Sequence, residues 1–458
     1  MEVNKYNWLE FIEEFEQLYT DAIGISIDTE FGSAIMPGHK PNILEDIEYK
    51  YEHIRKVCAT FAISEVGITL IFPAMTDDRT YYTKSWSIPC VPSHRMGVFH
   101  LWTTDTLDLV HDIPRWKRKA IPYMSISYIH YIQYELQNVP FRRINADVHH
   151  KMHKRYIPII RSLGKCNEQF VKLPEMNEDE LQIVASMCAD TWIIAMRDVE
   201  YSSHNDIIPK YAAFRDGRLL DPHHFAMFRG GIGSIMDILL RKPRDIPIIT
   251  HNGILDIAFL WNHCVETLHC NRCEFIEQVH ESFPLLFDTK YNMIKYSSVD
   301  DMIMRGTDLT TCYHSSMHRM SHIKVINTQR EGNLHEAWWD SYMTAHIYLF
   351  LKHSSIPEYI PIYNRFHMIL CIENWCWTGE RDYQKLYVYI LQLHNHNSVS
   401  IEQLRRSIHI LHPHASRPYI DITNIGLVVL TWKENISSVI RVLYPLGRLV
   451  SFHVPVLA

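Results

Sequence analysis

The stretch Ala22-Ile23-Gly24-Ile25-Ser26-Ile27-Asp28-Thr29-Glu30-Phe31 decides how the rest of the chain is read. Isoleucines at 23, 25 and 27 alternate with small or polar residues, the period of a half-buried strand. The polar positions end in two acids. Side chains at i and i+2 share one face of a strand, so Asp28 and Glu30 project together. Paired carboxylates at the end of a buried strand are costly unless a cation neutralises them. Hard oxygen ligands of this kind suit Mg2+ or Mn2+. Taken alone the pair decides little, because a solvated strand end reads the same way and roughly one Asp-x-Glu arises by chance in so acidic a chain.

Two further segments carry acids at strand and helix ends. In Ile248-Ile249-Thr250-His251-Asn252-Gly253-Ile254-Leu255-Asp256 a strand runs into a helix. Asn252 is expected to cap that helix, and Asp256 in its first turns points towards the end of a neighbouring strand. An acid placed only to favour the helix N-terminus is an equally open reading. In His335-Glu336-Ala337-Trp338-Trp339-Asp340 a long helix begins, expected over 336–352. The acid can hold a metal while the imidazole, five residues earlier, reaches a water beside it. Imidazole has the pKa range of a general base.

Around these segments the pattern predicts helices over 7–20 and 45–57, strands over 58–63, 67–72 and 81–88, and a short helix over 105–111 capped by Thr103 or Thr104. From 133 to 226 the pattern is irregular apart from an amphipathic helix over 178–195, which reads as an insertion. A helix over 231–240, a strand over 246–250 and a strand end over 287–290 follow. The last segment predicts a strand at 386–393, a helix opened by the Ser400 to Gln403 capping box, strands at 419–423 and 426–432, a helix at 435–444 and a strand at 448–454. That βαββαβ order is the ferredoxin-like one, which RNA-recognition modules share.

Composition sets outer limits. The 458 residues imply two to four domains, and 47% hydrophobic against 21% charged residues excludes a disordered chain. No apolar run approaches the ~20 residues that span a bilayer, and the Met1 end does not read as a signal peptide. A net charge of -7 disfavours coating nucleic acid by bulk charge but allows a local basic groove. The 29 histidines and 10 cysteines invite a zinc reading. However, Cys270-Asn271-Arg272-Cys273 has no partner pair at finger spacing, and neither His149 with His153 nor His314, His318 and His322 forms His-Glu-x-x-His. Free thiols and ordinary histidines are expected.

The three acidic segments, in this order, resemble the DEDD superfamily of 3′→5′ exonucleases in its histidine-containing form. Asp28 and Glu30 match its first-strand acids, Asp256 its second motif, and His335 with Asp340 its final His-x4-Asp. More narrowly, Asp28-Thr29-Glu30-Phe31, Ile121-Pro122-Tyr123, Phe287-Asp288-Thr289-Lys290 and His335-Glu336-Ala337 resemble the poly(A)-specific ribonuclease branch, which includes piRNA trimmers. The likeness covers roughly 1–130 and 230–355. Lys119-Ala120 stand where that branch has Asn-Gly, and its Arg-x-x-x-His signature is absent from 135–228.

The resemblance implies an α/β fold. An RNase H-like mixed-sheet nuclease domain would occupy 1–134 and 229–355. An inserted module would lie at 135–228, where the branch has a single-strand-binding domain, and an RRM-like domain at 380–458. It implies two Mg2+ or Mn2+ on Asp28, Glu30, Asp256 and Asp340, with His335 as base. RNA would then be shortened from a single-stranded 3′ end, poly(A) or small-RNA, with release of nucleoside 5′-monophosphates. A DNA 3′ exonuclease and a non-catalytic RNA-binding adaptor are the competing readings. The RNA path is expected along Arg115, Lys117, Arg118 and Lys119, with Arg142, Arg143 and the basic residues of 151–155, and on Tyr387 and Tyr389. A homodimer through the RRM-like sheet, an adaptor protein, no membrane span and a cytoplasmic place, nuclear or partner-tethered in part, complete the expectations.

Overall fold

The computed structural model describes the chain apart from residues 39–46, 93–120, 145–155, 202–206, 297–307, 354–359, 394–418, 433–446 and 453–458, and some shorter stretches between them. In chain order the strands are β1 (Gly24–Phe31), β2 (Ile63–Ala74), β3 (Asp77–Pro92), β4 (Ile121–Tyr123), β5 (Arg142–Arg143), β6 (Phe170–Lys172), β7 (Ile193–Tyr201), β8 (Ile207–Phe214), β9 (Ile248–Thr250), β10 (Leu286–Asp288) and β11 (Lys324–Asn327). A short meander of β12 (Arg365–Phe366), β13 (Glu373–Cys376) and β14 (Asp382–Tyr383) follows, and then β15 (Leu386–Leu393), β16 (Tyr419–Thr423), β17 (Gly426–Trp432) and β18 (Gly447–Phe452).

The main sheet has seven strands in the order β10-β9-β1-β2-β3-β11, with β4 beside the end of β3. It is mixed: β1 runs antiparallel to β2 and parallel to β9, and β9 is parallel to β10. The alternation read from the first strand sorts the two faces. Ile25, Ile27, Val66, Ile68, Leu70, Trp86 and Ile88 enter one core with Trp8, Phe11 and Phe15 of helix Trp8–Leu18 and with helices further along the chain. The opposite face carries helix Ala337–Lys352, whose Tyr342, Ala345, Tyr348 and Leu349 pack with Ile71, Ile249 and Phe287. Burying this helix on nearly every side explains its all-round apolar sequence.

The inserted region is ordered where it is described. β5-β7-β8-β6 form an antiparallel four-stranded sheet. Leu163 of helix Ile157–Lys165 and Leu181, Val184 and Ala185 of helix Glu178–Cys188 pack with Ile194 and Ala213 of that sheet. Ala195, Ala212 and Phe214 belong instead to the main core, and Phe214 meets Phe141, Phe170 and Phe225. Ala195, Ala212 and Phe214 thus tie this region to the main core.

Several boundaries differ from the sequence pattern. The stretch 58–63 is no separate strand: helix Ile47–Thr60 takes its first three residues, because Tyr51, Ile54, Val57 and Cys58 keep helical spacing into the core, and β2 begins at Ile63. The helix predicted over 178–195 stops at Cys188, and the β-rich run from Ile193 becomes β7. His314 and His318 lie on helix Leu309–Arg319, which the periodicity did not reveal. The predicted helices at 105–111, 400–411 and 435–444 lie outside the described residues. The last four strands pair antiparallel in the order β16-β17-β15-β18. Among the described residues, no helix is long and apolar enough to cross a membrane.

Candidate active site

The sheet and two helices bring the three acidic segments to one place. In the β1–β2 ladder Asp28 stands opposite Gly67 and Glu30 opposite Glu65. β9 lies beside β1, and its chain turns sharply into helix Ile254–Leu260. Asn252 takes φ of 60° at that turn, and a Cβ on Gly253 would lie 2.2 Å from Thr250. Asn252 therefore does not cap the helix; Gly253 occupies the cap position. Asn252 instead donates its backbone N–H to Asp288 Oδ1 at 3.1 Å. One turn into the helix, Asp256 Oδ1 accepts the Thr29 N–H at 2.8 Å and the Thr29 hydroxyl at 2.5 Å. Thr29 points away from its neighbours Asp28 and Glu30, as strand alternation requires, and ties the second acid to the first strand.

Helix Ala337–Lys352 supplies the rest. His335 has φ of 64°, a left-handed conformation that a non-glycine residue rarely takes without cause. Here it sends the exposed imidazole towards the sheet acids. One donor atom each of Glu30, His335 and Asp340 lies within 4.8 Å of the others. Among the described residues this is the one group of three or more such side chains. Cys270 and Cys273 are exposed and not disulfide-bonded.

Charge is the dominant feature. Burial pushes the Asp28 carboxyl well above its ordinary range, and Asp256, Asp340 and Glu30 push it further. Burial and then Asp340 raise Glu30 to about 7, which His335 partly opposes. Asp340 is raised to about 6, chiefly by burial, with His335 opposing. Burial also raises Asp256 to about 6 against its bonds from Thr29. Asp340 Oδ1 is buried without a hydrogen-bond partner among the described residues. Carboxylates crowded together, one buried oxygen unpartnered, and only a histidine as counter-charge make a donor set that fits a hard divalent cation.

Three residues of this arrangement were not among the expected site residues. Thr29 sits between the acids and anchors Asp256. Asp288, at the end of β10, is fully buried and raised to about 6 by burial, and its field reaches Asp256. Gly67 lets the start of helix Ala337–Lys352 press onto β2, since a Cβ there would lie 1.8 Å from the Ala337 carbonyl oxygen. A glycine inside a strand signals such a close approach, and Asp288 lies in the Phe287–Lys290 motif, so both had a readable sign.

The expected RNA-contacting residues are not gathered at this site by the described structure. Arg115, Lys117, Arg118 and Lys119 lie outside the described residues, as do 151–155. Arg142 and Arg143 are exposed on the edge strand β5 of the inserted sheet. Tyr387 and Tyr389 lie on β15, opposite Thr431 and Val429.

A family model described as CAF1 family ribonuclease matches residues 3–348. The pre-piRNA 3′-exonuclease trimmer of Bombyx mori is 21% identical over 396 residues, covering 78% of this chain and 72% of its own length. An uncharacterized protein of Schizosaccharomyces pombe is 21% identical over 437 residues, covering 80% of this chain and 98% of its own. Among solved structures, Schizosaccharomyces pombe Pop2p in its Mg2+- and Mn2+-bound form superposes with a TM-score of 0.36 at 13% identity, over 77% of this chain and 92% of that one.

Proposed function

This chain belongs to the CAF1 family of ribonucleases, and on that footing we propose that it is a metal-dependent 3′→5′ exoribonuclease of the histidine-containing DEDD type. The convergence of Asp28, Glu30, Asp256 and Asp340 with His335 carries this reading. The four carboxylates would hold Mg2+ or Mn2+, most simply two ions. When bound, such ions supply Lewis acidity at the phosphodiester and offset charge on its attacking and leaving oxygens.

The remaining work falls to the protein. His335 is exposed and beside the acids, so it can take the proton of an attacking water and pass it to solvent. Thr29 keeps Asp256 from swinging away from β1. Asp288, bonded to the Asn252 and Tyr291 N–H groups, fixes the turn that delivers Asp256. Attack at the last phosphodiester would release one nucleoside 5′-monophosphate at a time.

The substrate is RNA with a free single-stranded 3′ end. The name of the silkworm relative favours 3′ trimming of small-RNA precursors, with poly(A) shortening as the second reading from the sequence motifs. The C-terminal strand order supports a ferredoxin-like domain over 380–458 for RNA contact or dimerisation. The β5-β7-β8-β6 sheet supports an inserted module over 135–228. An adaptor protein would place the enzyme in the cytoplasm, nucleus or at an organelle surface.

The test is digestion of 5′-labelled RNA with poly(A), mixed-sequence and 3′-methylated ends, beside the matching DNA. A one-nucleotide ladder on RNA that chelator and Asp28→Ala both abolish is expected. Full activity of a folded Asp28→Ala protein, or internal cuts, would refute it. Equal cleavage of DNA would move the substrate class.

A further inference from the structure

Between the strand acids and helix Ala337–Lys352 runs a seam of polar side chains with no assigned part in the reaction. Glu65, Gly67 and Thr69 of β2 share one face and stand beside Glu30, Asp28 and Ser26 of β1. The first turn of the helix lies on this row. At its centre Gly67 leaves room for the Ala337 carbonyl. At one end the Thr69 hydroxyl meets Ser341 and Ser85, each at 2.8 Å. Ala337 and Ser341 are four apart and so share a helix face. At the other end the Glu65 carboxylate accepts the Ser87 hydroxyl at 2.7 Å and faces the backbone N–H of Ala337.

The approach of Glu65 to the Ala337 N–H matters because the helix has no side-chain cap of its own. The first N–H groups of a helix need acceptors from elsewhere. Glu336, in the N-cap position, makes no capping bond, since its carboxylate is taken by Asn333 and the Trp338 indole. A carboxylate at a helix N-terminus is also favoured by the helix dipole. Yet a fifth acid here is costly: Glu65 adds to the repulsion felt by Asp28, Glu30 and Asp340. An acid placed against that repulsion must give something back, and the seam shows what it is.

We propose that Glu65 is a positioning residue, whose carboxylate, braced by Ser87, caps helix Ala337–Lys352 from the neighbouring strand and sets the separation between Asp28 and Glu30 on the sheet and His335 and Asp340 on the helix. The catalytic consequence rests on the exonuclease reading above; the capping itself does not. Loosening the helix start moves Asp340 and His335 together relative to β1, and a misplacement of about 1 Å in such a site can cost roughly 100-fold in rate.

The experiment compares Glu65→Ala, Glu65→Gln and Ser87→Ala in the full chain by three measurements: steady-state kinetics on labelled RNA, Mn2+ binding by calorimetry, and hydrogen exchange of the amides from Ala337 to Asp340. Glu65→Ala should lower kcat by roughly 10- to 100-fold with KM within about twofold, weaken Mn2+ binding and speed exchange at Ala337. Glu65→Gln keeps an oxygen for the Ala337 N–H and an amide for Ser87, so it should restore most of kcat and the slow exchange. Ser87→Ala should show the same pattern at roughly two- to tenfold, and it serves in place of Glu65→Ala should that variant fail to fold. Unchanged kcat and exchange in Glu65→Ala, or in Ser87→Ala where it stands in, overturns the proposal. A Glu65→Gln enzyme as slow as Glu65→Ala with normal exchange also overturns it, because the charge itself would then act. Wild-type protein without ribonuclease activity sinks the exonuclease reading, and faster exchange in Glu65→Ala would still uphold the cap.

Discussion

Replacing Asp340 with Asn should stabilise the metal-free protein, and do so only where the carboxyl would be charged. Burial is the main reason that this carboxyl is raised from the ordinary 3.8 to about 6. A carboxyl whose pKa is higher folded than unfolded contributes its full stability below the unfolded value, and that stability is lost as pH rises through the folded one. At pH 8 wild-type Asp340 is therefore charged at a cost that the neutral amide escapes. A displacement of about two pH units corresponds to roughly 3 kcal/mol. Asp340 is 8% exposed, so solvent relieves little of this. Taking about 2–4 °C per kcal/mol for a unit of nuclease-domain size, the melting temperature of chelator-treated Asp340→Asn should rise by roughly 6–12 °C at pH 8. By the same linkage the gain should be about half as large at pH 5 and shrink towards zero near pH 4. Circular-dichroism melts across this range measure it. Adding Mn2+ should reverse the order, raising the melting temperature of wild type and not of the variant. An equal gain at pH 5 and pH 8, or no gain at pH 8, would refute the account of Asp340 as a carboxylate held against its own charge.

Two other substitutions test the scaffold. Gly67→Ala places a methyl group 1.8 Å from the Ala337 carbonyl oxygen, backbone that cannot swing aside; the helix must retreat, and urea unfolding should show a loss of roughly 2–4 kcal/mol together with loss of the nucleotide ladder. Thr29→Val keeps the shape and the backbone N–H but removes the hydroxyl bonded to Asp256 at 2.5 Å, so calorimetry should show Mn2+ binding weakened by roughly tenfold or more while the fold is retained.

The sequence made most of the charged site readable because each acid sits at the end of an element whose period is strong. Isoleucine alternation marks β1 and points Asp28 and Glu30 one way; the start of helix Ala337–Lys352 follows His335 closely enough to place Asp340 near it. Asn252 shows the limit of local rules. Its residue type favours a cap, but the left-handed turn and the bond to Asp288 are set by β10, a strand 36 residues away. In the inserted region β5 and β6 have only 2 and 3 residues, too few for alternation to register, although β7 and β8 are longer, with 9 and 8. Its helix was overextended since nothing in 178–195 marks the point at which apolar residues change from facing one sheet surface to forming that sheet.

The supporting residues not expected at the site share a physical property that explains both why they were missed and their use. Thr29, Gly67, Ser87 and Glu65 act across strands, through register, and register is not written in any one segment. Asp28 opposite Gly67 and Glu30 opposite Glu65 mean that the strand next to the acids meets the helix start with an absent side chain at one position and an acceptor at another. The site needs that firmness. Carboxylates raised to about 6 and 7 repel one another and would drift apart on loose elements. Cross-strand bonds that hold them before any cation arrives pre-organise the ligands. A cation entering such a site replaces repulsion with attraction without moving the frame. The same frame makes the metal-free protein less stable above neutral pH, so melting temperature against pH and metal reads out how firmly the seam is closed.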